Sequence, residues 1–306
     1  MSLDAPAALR EPGHRRSGAS WSWSTVGAYV ALTKPRIIEL LLVTTLPTMV
    51  VAQRGLPPVW LMAATLVGGA LAAGGANAIN MVVDVDIDRV MKRTKNRPLV
   101  TGAMTPRAAL VFALALEAAA FVELTLAVNL LSAVLALSAT LFYVFVYTLW
   151  LKRRSSQNIV IGGAAGAVPV LVGWVAVTNS LAWAPVVMFA VIFIWTPPHF
   201  WALALLLQND YAAAGVPMLP VVHGEDATRR QIFLWTLVMV GVTVLPCAAG
   251  VAGWTYFVGA LILNAVFVVL ALRLWRMPSR ARAKATFHYS LVYLALIFVL
   301  MAIDAA

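Results

Sequence analysis

The chain has 306 residues, of which 62% are hydrophobic and only 11% are charged, a composition typical of membrane proteins and not of soluble ones. The basic residues behind its formal net charge of +10 flank apolar spans, which indicates membrane topology and argues against nucleic-acid binding. The single cysteine, Cys247, excludes an intrachain disulfide and argues against a thiolate metal cluster.

The first 26 residues are polar and rich in Arg, Ser and Pro. They lack the apolar core of a cleavable signal peptide, and Asp4 and Glu11 argue against a mitochondrial transit peptide. We predict that residues 1–26 form a disordered tail and that residues 27–306 form one intramembrane domain.

Nine apolar spans follow in chain order. Backbone polar groups in lipid must be satisfied within their own segment, so the predicted fold is all-α, a polytopic membrane bundle of about nine transmembrane helices. The predicted spans are Ile37–Val51, Val59–Val83, Ala108–Leu126, Leu130–Trp150, Ile159–Val177, Trp183–Leu207, Ile232–Ala249, Tyr256–Leu274 and Phe287–Ile303.

The distribution of the basic residues supports this number of spans. With nine spans and a cytoplasmic N-terminus, every one of the 22 Lys and Arg residues except Arg54 falls on the cytoplasmic side. Adding or removing one span would destroy this asymmetry, which follows the positive-inside rule. We therefore predict an integral protein of the bacterial cytoplasmic (inner) membrane, with the N-terminus and the active-site loops on the cytoplasmic side.

The end of the second span carries polar residues at helical spacing. Four side chains fall within an arc of about 80° on one helix face: Asn77, Asn80, Asp84 and Asp88. Asp86 points to the opposite side, and a basic cluster follows that includes Lys92, Arg93 and Arg97. Hard oxygen ligands next to Lys and Arg are what a magnesium–polyphosphate site requires. The pattern predicts such a site near the membrane surface.

The sixth span contains Pro197 and Pro198, which remove two backbone donors and predict a kink. His199 follows about eight residues before the inner end of the span, roughly 12 Å deep at 1.5 Å per residue. Asn77 enters the membrane at nearly the same depth. The sequence therefore indicates a shared polar cavity near the inner face, with Asp210 at its mouth opposite Asp84.

Several of these features also have a simpler interpretation. A histidine beside two prolines can do no more than satisfy a freed carbonyl group, and Asp86 can simply pair with Arg89. The basic cluster Lys152–Arg154 acts first as a topology signal, with phosphate contact as the alternative. Close helix packing, rather than a ligand-binding loop, is the interpretation we prefer for the glycines of the fifth span, Gly162, Gly163 and Gly166.

Taken together, the motifs resemble those of the UbiA-type intramembrane prenyltransferases and, among them, the protohaem IX farnesyltransferases (haem O synthases). The first motif is Asn77-x-x-Asn80-x-x-x-Asp84-x-Asp86-x-Asp88, followed by Met91-Lys-Arg-Thr-Lys-Asn-Arg-Pro98. The others are Leu32-Thr-Lys34-Pro35-Arg36, Lys152-Arg-Arg154 ahead of Gly162-Gly-Ala-Ala-Gly166, Trp195-Thr-Pro-Pro-His199-Phe-Trp201, and Asp210-Tyr211 ahead of Gly215-Val-Pro-Met-Leu-Pro220.

The resemblance implies transfer of the farnesyl group of farnesyl diphosphate to a vinyl group of haem B, with addition of water. The products are haem O and pyrophosphate, and the pathway served is the biogenesis of haem A and cytochrome oxidase. The implied cofactor is Mg²⁺, with haem B as a substrate rather than a cofactor. The implied partners are farnesyl diphosphate, haem B and the lipid bilayer, with haem A synthase as a candidate protein partner.

The resemblance also implies roles for individual residues. The implied metal ligands are Asn80, Asp84, Asp88 and Asp210. The residues placed in catalysis are Asn77, Asn80, Asp84, Asp88, Arg93, Arg97 and His199, with His199 engaging haem as an axial iron ligand or a hydrogen-bonding partner. The residues placed in substrate binding are Lys34, Arg36, Lys92, Lys152, Arg153, Asp210 and Tyr211, with Lys34 and Arg36 as candidates for the haem propionates.

One departure from the wider family bears on the acceptor. Relatives that act on aromatic acceptors usually carry more than one Asp in the loop after the sixth span, whereas here Asp210 stands alone until Glu225 and Asp226. This favours the haem branch and leaves the number of Mg²⁺ ions open. Two alternatives stay open: a prenyltransferase with an aromatic, quinone-pathway acceptor, and a non-catalytic haem or polyanion transporter.

Overall fold

Helices dominate the described part of the chain. The computed structural model describes residues 23–305, except for the side chains of residues 23–24 and 36–42, and within these bounds it contains no β-strand. The predicted all-α fold is confirmed. Of the predicted tail, residues 1–22 lie outside the described residues, and the first helix begins at Trp23.

Fifteen α-helices and one π-helical segment follow one another along the described residues. They are α1 (Trp23–Thr33), α2 (Pro35–Gln53), α3 (Val59–Val83), α4 (Val85–Val90), α5 (Pro106–Ala127), α6 (Leu130–Leu141), the π-helix Phe142–Leu151, α7 (Lys152–Arg154), α8 (Asn158–Thr178), α9 (Trp183–Leu206), α10 (Gln208–Ala213), α11 (Leu219–Val222), α12 (Gly224–Val242), α13 (Leu245–Ala248), α14 (Trp254–Arg276) and α15 (Arg280–Ala305).

Eight continuous helical runs in this part of the chain are long and apolar enough to cross a membrane. They correspond to eight of the nine predicted spans, and the bounds of α3 are those predicted from the sequence. The remaining predicted span, Ile37–Val51, lies within α2. The protein is therefore an integral membrane protein with a bundle of about nine long helices.

Local signals in the sequence set several helix ends. The Thr105 hydroxyl accepts a hydrogen bond from the Ala108 N–H at the start of α5, where Pro106 occupies the first helical position. At the start of α6, the Asn129 side chain accepts from the Ser132 N–H at 2.8 Å and donates to the Val175 carbonyl at 2.9 Å. Asn129 therefore joins the start of α6 to the end of α8.

The long helices pack beside their neighbours in the chain and close into a ring. Each of these helices contacts the next one in the order α2, α3, α5, α6, α8, α9, α12, α14 and α15. The ring closes because α15 contacts α2. Across the interior of the ring, α8 packs against α2 and α9 packs against α15. The main buried cluster lies here and contains large side chains such as Trp195, Tyr256, Phe267, Tyr293 and Phe298.

Glycines permit close approach of helices near the predicted site. A Cβ atom on Gly162 would lie 2.3 Å from Tyr147 Cδ2, and one on Gly163 would lie 2.7 Å from Thr196 Cγ2. The predicted packing role is confirmed for these two glycines. For Gly166, a Cβ atom would meet no heavy atom within 4 Å among the described residues, and a packing role there stays a prediction.

Candidate active site

The acidic face predicted at the end of the second span is buried against the bundle. Although α3 ends at Val83, the backbone keeps helical hydrogen bonds from Asp84 N–H to the Asn80 carbonyl (3.0 Å) and from Asp88 N–H to the Asp84 carbonyl (2.8 Å). The helical register therefore continues into α4. Asn80, Asp84 and Asp88 are 4%, 0% and 3% exposed, whereas the Asp86 side chain is 65% exposed.

Asp84 lies at the centre of this face and is surrounded by donors. Its Oδ2 atom accepts hydrogen bonds from Asn80 Nδ2 at 2.7 Å and from Lys152 Nζ. Its Oδ1 atom forms a longer ion pair with Arg153 Nη2 at 3.6 Å and has no hydrogen-bond partner in the described structure. A fully buried carboxylate thus keeps one oxygen free of hydrogen bonds beside two cationic side chains.

Asp88 is paired with a basic residue of the loop that follows α4. Arg97 Nη1 donates to Asp88 Oδ2 at 2.6 Å, and the Thr94 hydroxyl donates to the Asp88 carbonyl at 3.0 Å. These bonds fold the basic loop back over the acidic face. The sequence placed the carboxylates and the basic residues near each other but did not indicate which arginine pairs with which carboxylate.

Asn80 makes hydrogen bonds with three side chains, two of them from other segments of the chain. Its Oδ1 atom accepts from Lys34 Nζ at 2.8 Å, and its Nδ2 atom donates both to Asp84 and to the Thr148 hydroxyl, the latter at 3.2 Å. Lys34 stands between α1 and α2 in a left-handed backbone conformation, with φ of 52°. Burial, together with the nearby positive charges of Arg97 and Lys152, lowers the pKa of Lys34 to about 7.

The π-helix contains one of these partners, Thr148, and ends directly before another, Lys152. A π-helix has a wider turn because its hydrogen bonds span five residues, as in the bond from the Lys152 N–H to the Tyr147 carbonyl. Within it, the Thr148 hydroxyl donates to the Tyr143 carbonyl at 2.9 Å, and the Tyr143 and Tyr147 rings stack with centroids 5.3 Å apart. Thr148 is a site residue that sequence reasoning missed, because a threonine inside an apolar span carries no motif.

Asp86 forms a pair on the outer side of α4. Arg153 makes two hydrogen bonds to its carboxylate, at 2.7 and 2.8 Å. The alternative pairing with Arg89 is wrong, because the two-pronged Arg153 guanidinium reaches Asp86 from α7. The hydrogen bond from Arg153 lowers the pKa of Asp86 to about 2.

Asp210 lies on α10, next to the basic loop that follows α4. Asp210 Oδ2 accepts from the Arg93 backbone N–H at 3.4 Å, so the α10 segment lies against the basic loop. Tyr211 packs on a small buried cluster that includes Ile87, Met91 and Val216. Burial raises the pKa of Tyr211 above its ordinary value.

His199 occupies a different environment from the acidic face. Its Nδ1 atom lies 2.7 Å from the Ser290 hydroxyl on α15, and its ring stacks with Trp195 at 4.2 Å and with Phe287 at 4.8 Å. Asn77 is instead bonded to the Thr33 carbonyl at 3.1 Å. The cavity predicted to be shared by His199 and Asn77 stays a prediction, since no described hydrogen bond joins them.

Fewer contacts are described for the remaining predicted site residues. Lys92 is exposed and forms no ion pair among the described residues. The side chain of Arg36 lies outside them. Of the four predicted metal ligands, three group on the α3–α4 face, while the described hydrogen bond of Asp210 is to the Arg93 backbone N–H. The described residues contain no group of three or more His, Cys, Asp or Glu side chains with metal-site geometry.

The helical bundle and this buried cluster of acidic and basic side chains define a polytopic integral membrane protein with a polar site where its helices end. The sequence profile of the UbiA prenyltransferase family matches residues 41–297. The chain belongs to that family. Relatives with 54% and 50% identity over nearly the whole chain place it among the protoheme IX farnesyltransferases.

Two bacterial relatives illustrate the likeness. Protoheme IX farnesyltransferase 1 of Saccharopolyspora erythraea is 54% identical over 92% of this chain and 90% of its own length. Protoheme IX farnesyltransferase of Streptomyces avermitilis is 50% identical over 91% of this chain and 93% of its own length.

Solved structures share the fold at much lower identity. A digeranylgeranylglyceryl phosphate synthase superposes with a TM-score of 0.75 at 17% identity, covering 92% of this chain and 98% of that one. A UbiA homolog from Archaeoglobus fulgidus, bound to DMAPP and Mg²⁺, superposes with a TM-score of 0.61 at 16% identity, covering 90% of this chain and 99% of that one. At such identities, the likeness establishes the fold alone.

Proposed function

We propose that this protein transfers the farnesyl group of farnesyl diphosphate to a vinyl group of haem B, with addition of water, to make haem O and pyrophosphate. The assignment of haem as the acceptor rests on sequence identity. About half of all residues, over nearly the whole chain, are identical to those of proteins named protoheme IX farnesyltransferase. The charged site described above supports the diphosphate half of the reaction.

The residues of the acidic face fit a divalent cation such as Mg²⁺. Carboxylate and amide oxygens are the ligands that this hard cation prefers, and Asp84 Oδ1 is a buried carboxylate oxygen without a hydrogen-bond partner. Asp84, Asp88 and Asn80 would hold the ion, with Asp210 from the opposite loop. When bound, Mg²⁺ would neutralise charge on the leaving diphosphate.

The basic residues now paired with the carboxylates would bind the diphosphate. Lys152 and Arg97 lie within hydrogen-bond distance of Asp84 and Asp88, so each can turn to a phosphate oxygen once the carboxylate has another positive partner. Lys34 and Arg153 stand beside them. Arg93 and Lys92 border the site on the α4–α5 loop. These cations would stabilise the pyrophosphate as the allylic C1–O bond breaks.

The farnesyl carbon then bonds to the electron-rich vinyl carbon of haem, and water captures the cation that forms on the porphyrin side and loses a proton. This chemistry requires no strong base. The apolar faces of the bundle suit the fifteen-carbon chain and keep stray water from the allylic cation. We assign the haem contact to His199, with Lys34 and Arg36 as candidates for the propionates and Tyr211 as a substrate contact.

A reconstituted assay tests the proposal. Purified full-length protein is incubated with haem B, farnesyl diphosphate and Mg²⁺, and the haem fraction is analysed by mass spectrometry. We expect a new haem species heavier by one farnesyl group plus one water, formed only when divalent metal is present.

The same preparation is tested with 4-hydroxybenzoate as an aromatic acceptor. Prenylation of that acceptor without any haem product would contradict the proposal and point to a quinone-pathway enzyme. Binding of haem without any product from either acceptor, in protein shown to be folded by thermal unfolding, would point to a carrier protein.

A further inference from the structure

His199 is held by one hydroxyl group on a neighbouring helix. Its Nδ1 atom lies 2.7 Å from Ser290 Oγ, and both residues are buried between α9 and α15. Ser290 carries no motif in the sequence and is 91 positions away from His199. Only the packing of α9 against α15 brings the two side chains together.

The hydrogen bonds of Ser290 decide which imidazole nitrogen carries the proton. A serine hydroxyl has a single hydrogen to donate, and Ser290 Oγ donates it to the Phe287 carbonyl at 2.6 Å. Towards His199 the same oxygen is therefore an acceptor, and the Nδ1 atom of His199 must be the donor. The neutral ring then has its lone pair on Nε2.

The ring is also fixed in orientation. Trp195 Nε1 donates to the Ser290 carbonyl at 2.8 Å, and the Trp195 ring lies nearly parallel to the imidazole at 18°. The Phe287 ring is nearly parallel as well, at 27°. Stacking restrains the ring plane, while a bond from Nε2 to a metal forms within that plane. The Phe200 ring also contacts the imidazole, nearly perpendicular to it with centroids 4.9 Å apart, and further restrains its orientation.

We infer that Ser290 is a positioning residue that holds His199 as the Nδ1–H tautomer, with the Nε2 lone pair directed to the iron of the haem substrate. Donation from Nδ1 to an oxygen also makes a ligating imidazole more basic, which strengthens the bond to the metal. The inference rests on the proposed function, because it takes haem B to be the molecule that His199 meets.

Haem binding to the full-length protein tests this role separately from turnover. Ferric haem B is titrated into purified wild-type protein and four variants, and the Soret band and the iron–histidine vibration are recorded. For Ser290→Ala we expect the haem dissociation constant to rise on the order of 10-fold, with a weakened iron–histidine band. Ser290→Thr keeps a hydroxyl at this position and should restore both values. Affinity for farnesyl diphosphate should not change in either variant.

Thr286→Ala is the matched control. Thr286 lies one turn away on α15, is equally buried, and directs its hydroxyl to the Arg282 carbonyl at 2.9 Å rather than to His199. Haem affinity in this variant should stay at the wild-type value, and thermal unfolding of every variant separates misfolding from loss of the hydrogen bond.

Wild-type haem affinity and an unchanged iron–histidine band in Ser290→Ala would overturn the inference, as would an unchanged spectrum in His199→Ala. Failure of the proposed function looks different, since wild-type protein would then yield no farnesylated haem by mass spectrometry, whatever its haem spectrum.

Discussion

At the scale of single residues, Asp84 combines full burial with two cationic neighbours, Lys152 and Arg153. Its neighbours Asn80 and Lys152 both donate to one oxygen, and the other oxygen is left for a further positive partner. Burial in a low-dielectric site strengthens each of these interactions. The charge of Asp84 is therefore expected to matter more than its size.

Replacing Asp84 by asparagine keeps the size of the side chain and removes its charge. We expect the rate of haem farnesylation by Asp84→Asn to fall by at least on the order of 100-fold, because a ligand for Mg²⁺ is lost and Lys152 loses its counter-charge. The measurement is initial rate by mass spectrometry at saturating Mg²⁺.

The matched control is Asp226→Asn, the same chemical change at an exposed carboxylate in the first turn of α12. It should keep the wild-type rate. Equal rates for Asp84→Asn and wild type would show that the acidic face does not take part in the reaction.

The spacing of Asn80, Asp84 and Asp88 was sufficient to predict a common face, because the helical period is a local property of the chain. The partners on the other side of that face were not predictable. Thr148 and Ser290 lie 68 and 91 positions away from the side chains they contact, and neither belongs to a motif. Such contacts depend on how helices pack.

At the scale of helices, close packing of α8 on α9 depends on the absence of a side chain at Gly163. A methyl group there would lie 2.7 Å from Thr196 Cγ2 and 2.9 Å from Thr196 Cβ, so one helix must move. We expect Gly163→Ala to destabilise the protein by about 1–3 kcal/mol. The measurement is the thermal unfolding midpoint in one detergent.

Gly166→Ala provides the comparison one turn further along α8, where a Cβ atom would meet no described heavy atom within 4 Å. Alanine favours helix over glycine by about 1 kcal/mol, so this variant should be as stable as wild type or more stable. A lower midpoint for Gly166→Ala than for Gly163→Ala would contradict the packing explanation.

The start of α14 is capped from the end of α15. The Asp304 carboxylate accepts hydrogen bonds from the backbone N–H groups of Gly253 and, at 3.4 Å, Tyr256. A negative charge at a helix N-terminus is favourable, so we expect Asp304→Ala to cost about 1 kcal/mol of stability. Asp304→Asn keeps an acceptor oxygen and should lose less. An unchanged unfolding midpoint in Asp304→Ala would rule out a stabilising cap.

At the scale of the whole molecule, the distribution of basic residues predicts how the bundle is oriented in the membrane. Single cysteines in a Cys247→Ser background can test it, with Ala103→Cys in the basic loop before α5 and Ser180→Cys between α8 and α9. We expect an impermeant thiol reagent added to intact cells to label Ser180→Cys only. Labelling of Ala103→Cys alone would reverse the predicted orientation.

The sequence by itself determined the helical bundle, the position of most spans and the acidic face, because hydrophobic length and helical period are properties of contiguous residues. The tertiary structure alone decided the pairing of Asp84 with Lys152, of Asp88 with Arg97 and of Asp86 with Arg153. It also decided that His199 meets Ser290 and that Asn77 donates to the Thr33 carbonyl. Asp88 and Arg97 are nine positions apart, but the other pairs join segments far apart in the chain. Which side chains meet there depends on the packing of whole helices, where no local spacing rule applies.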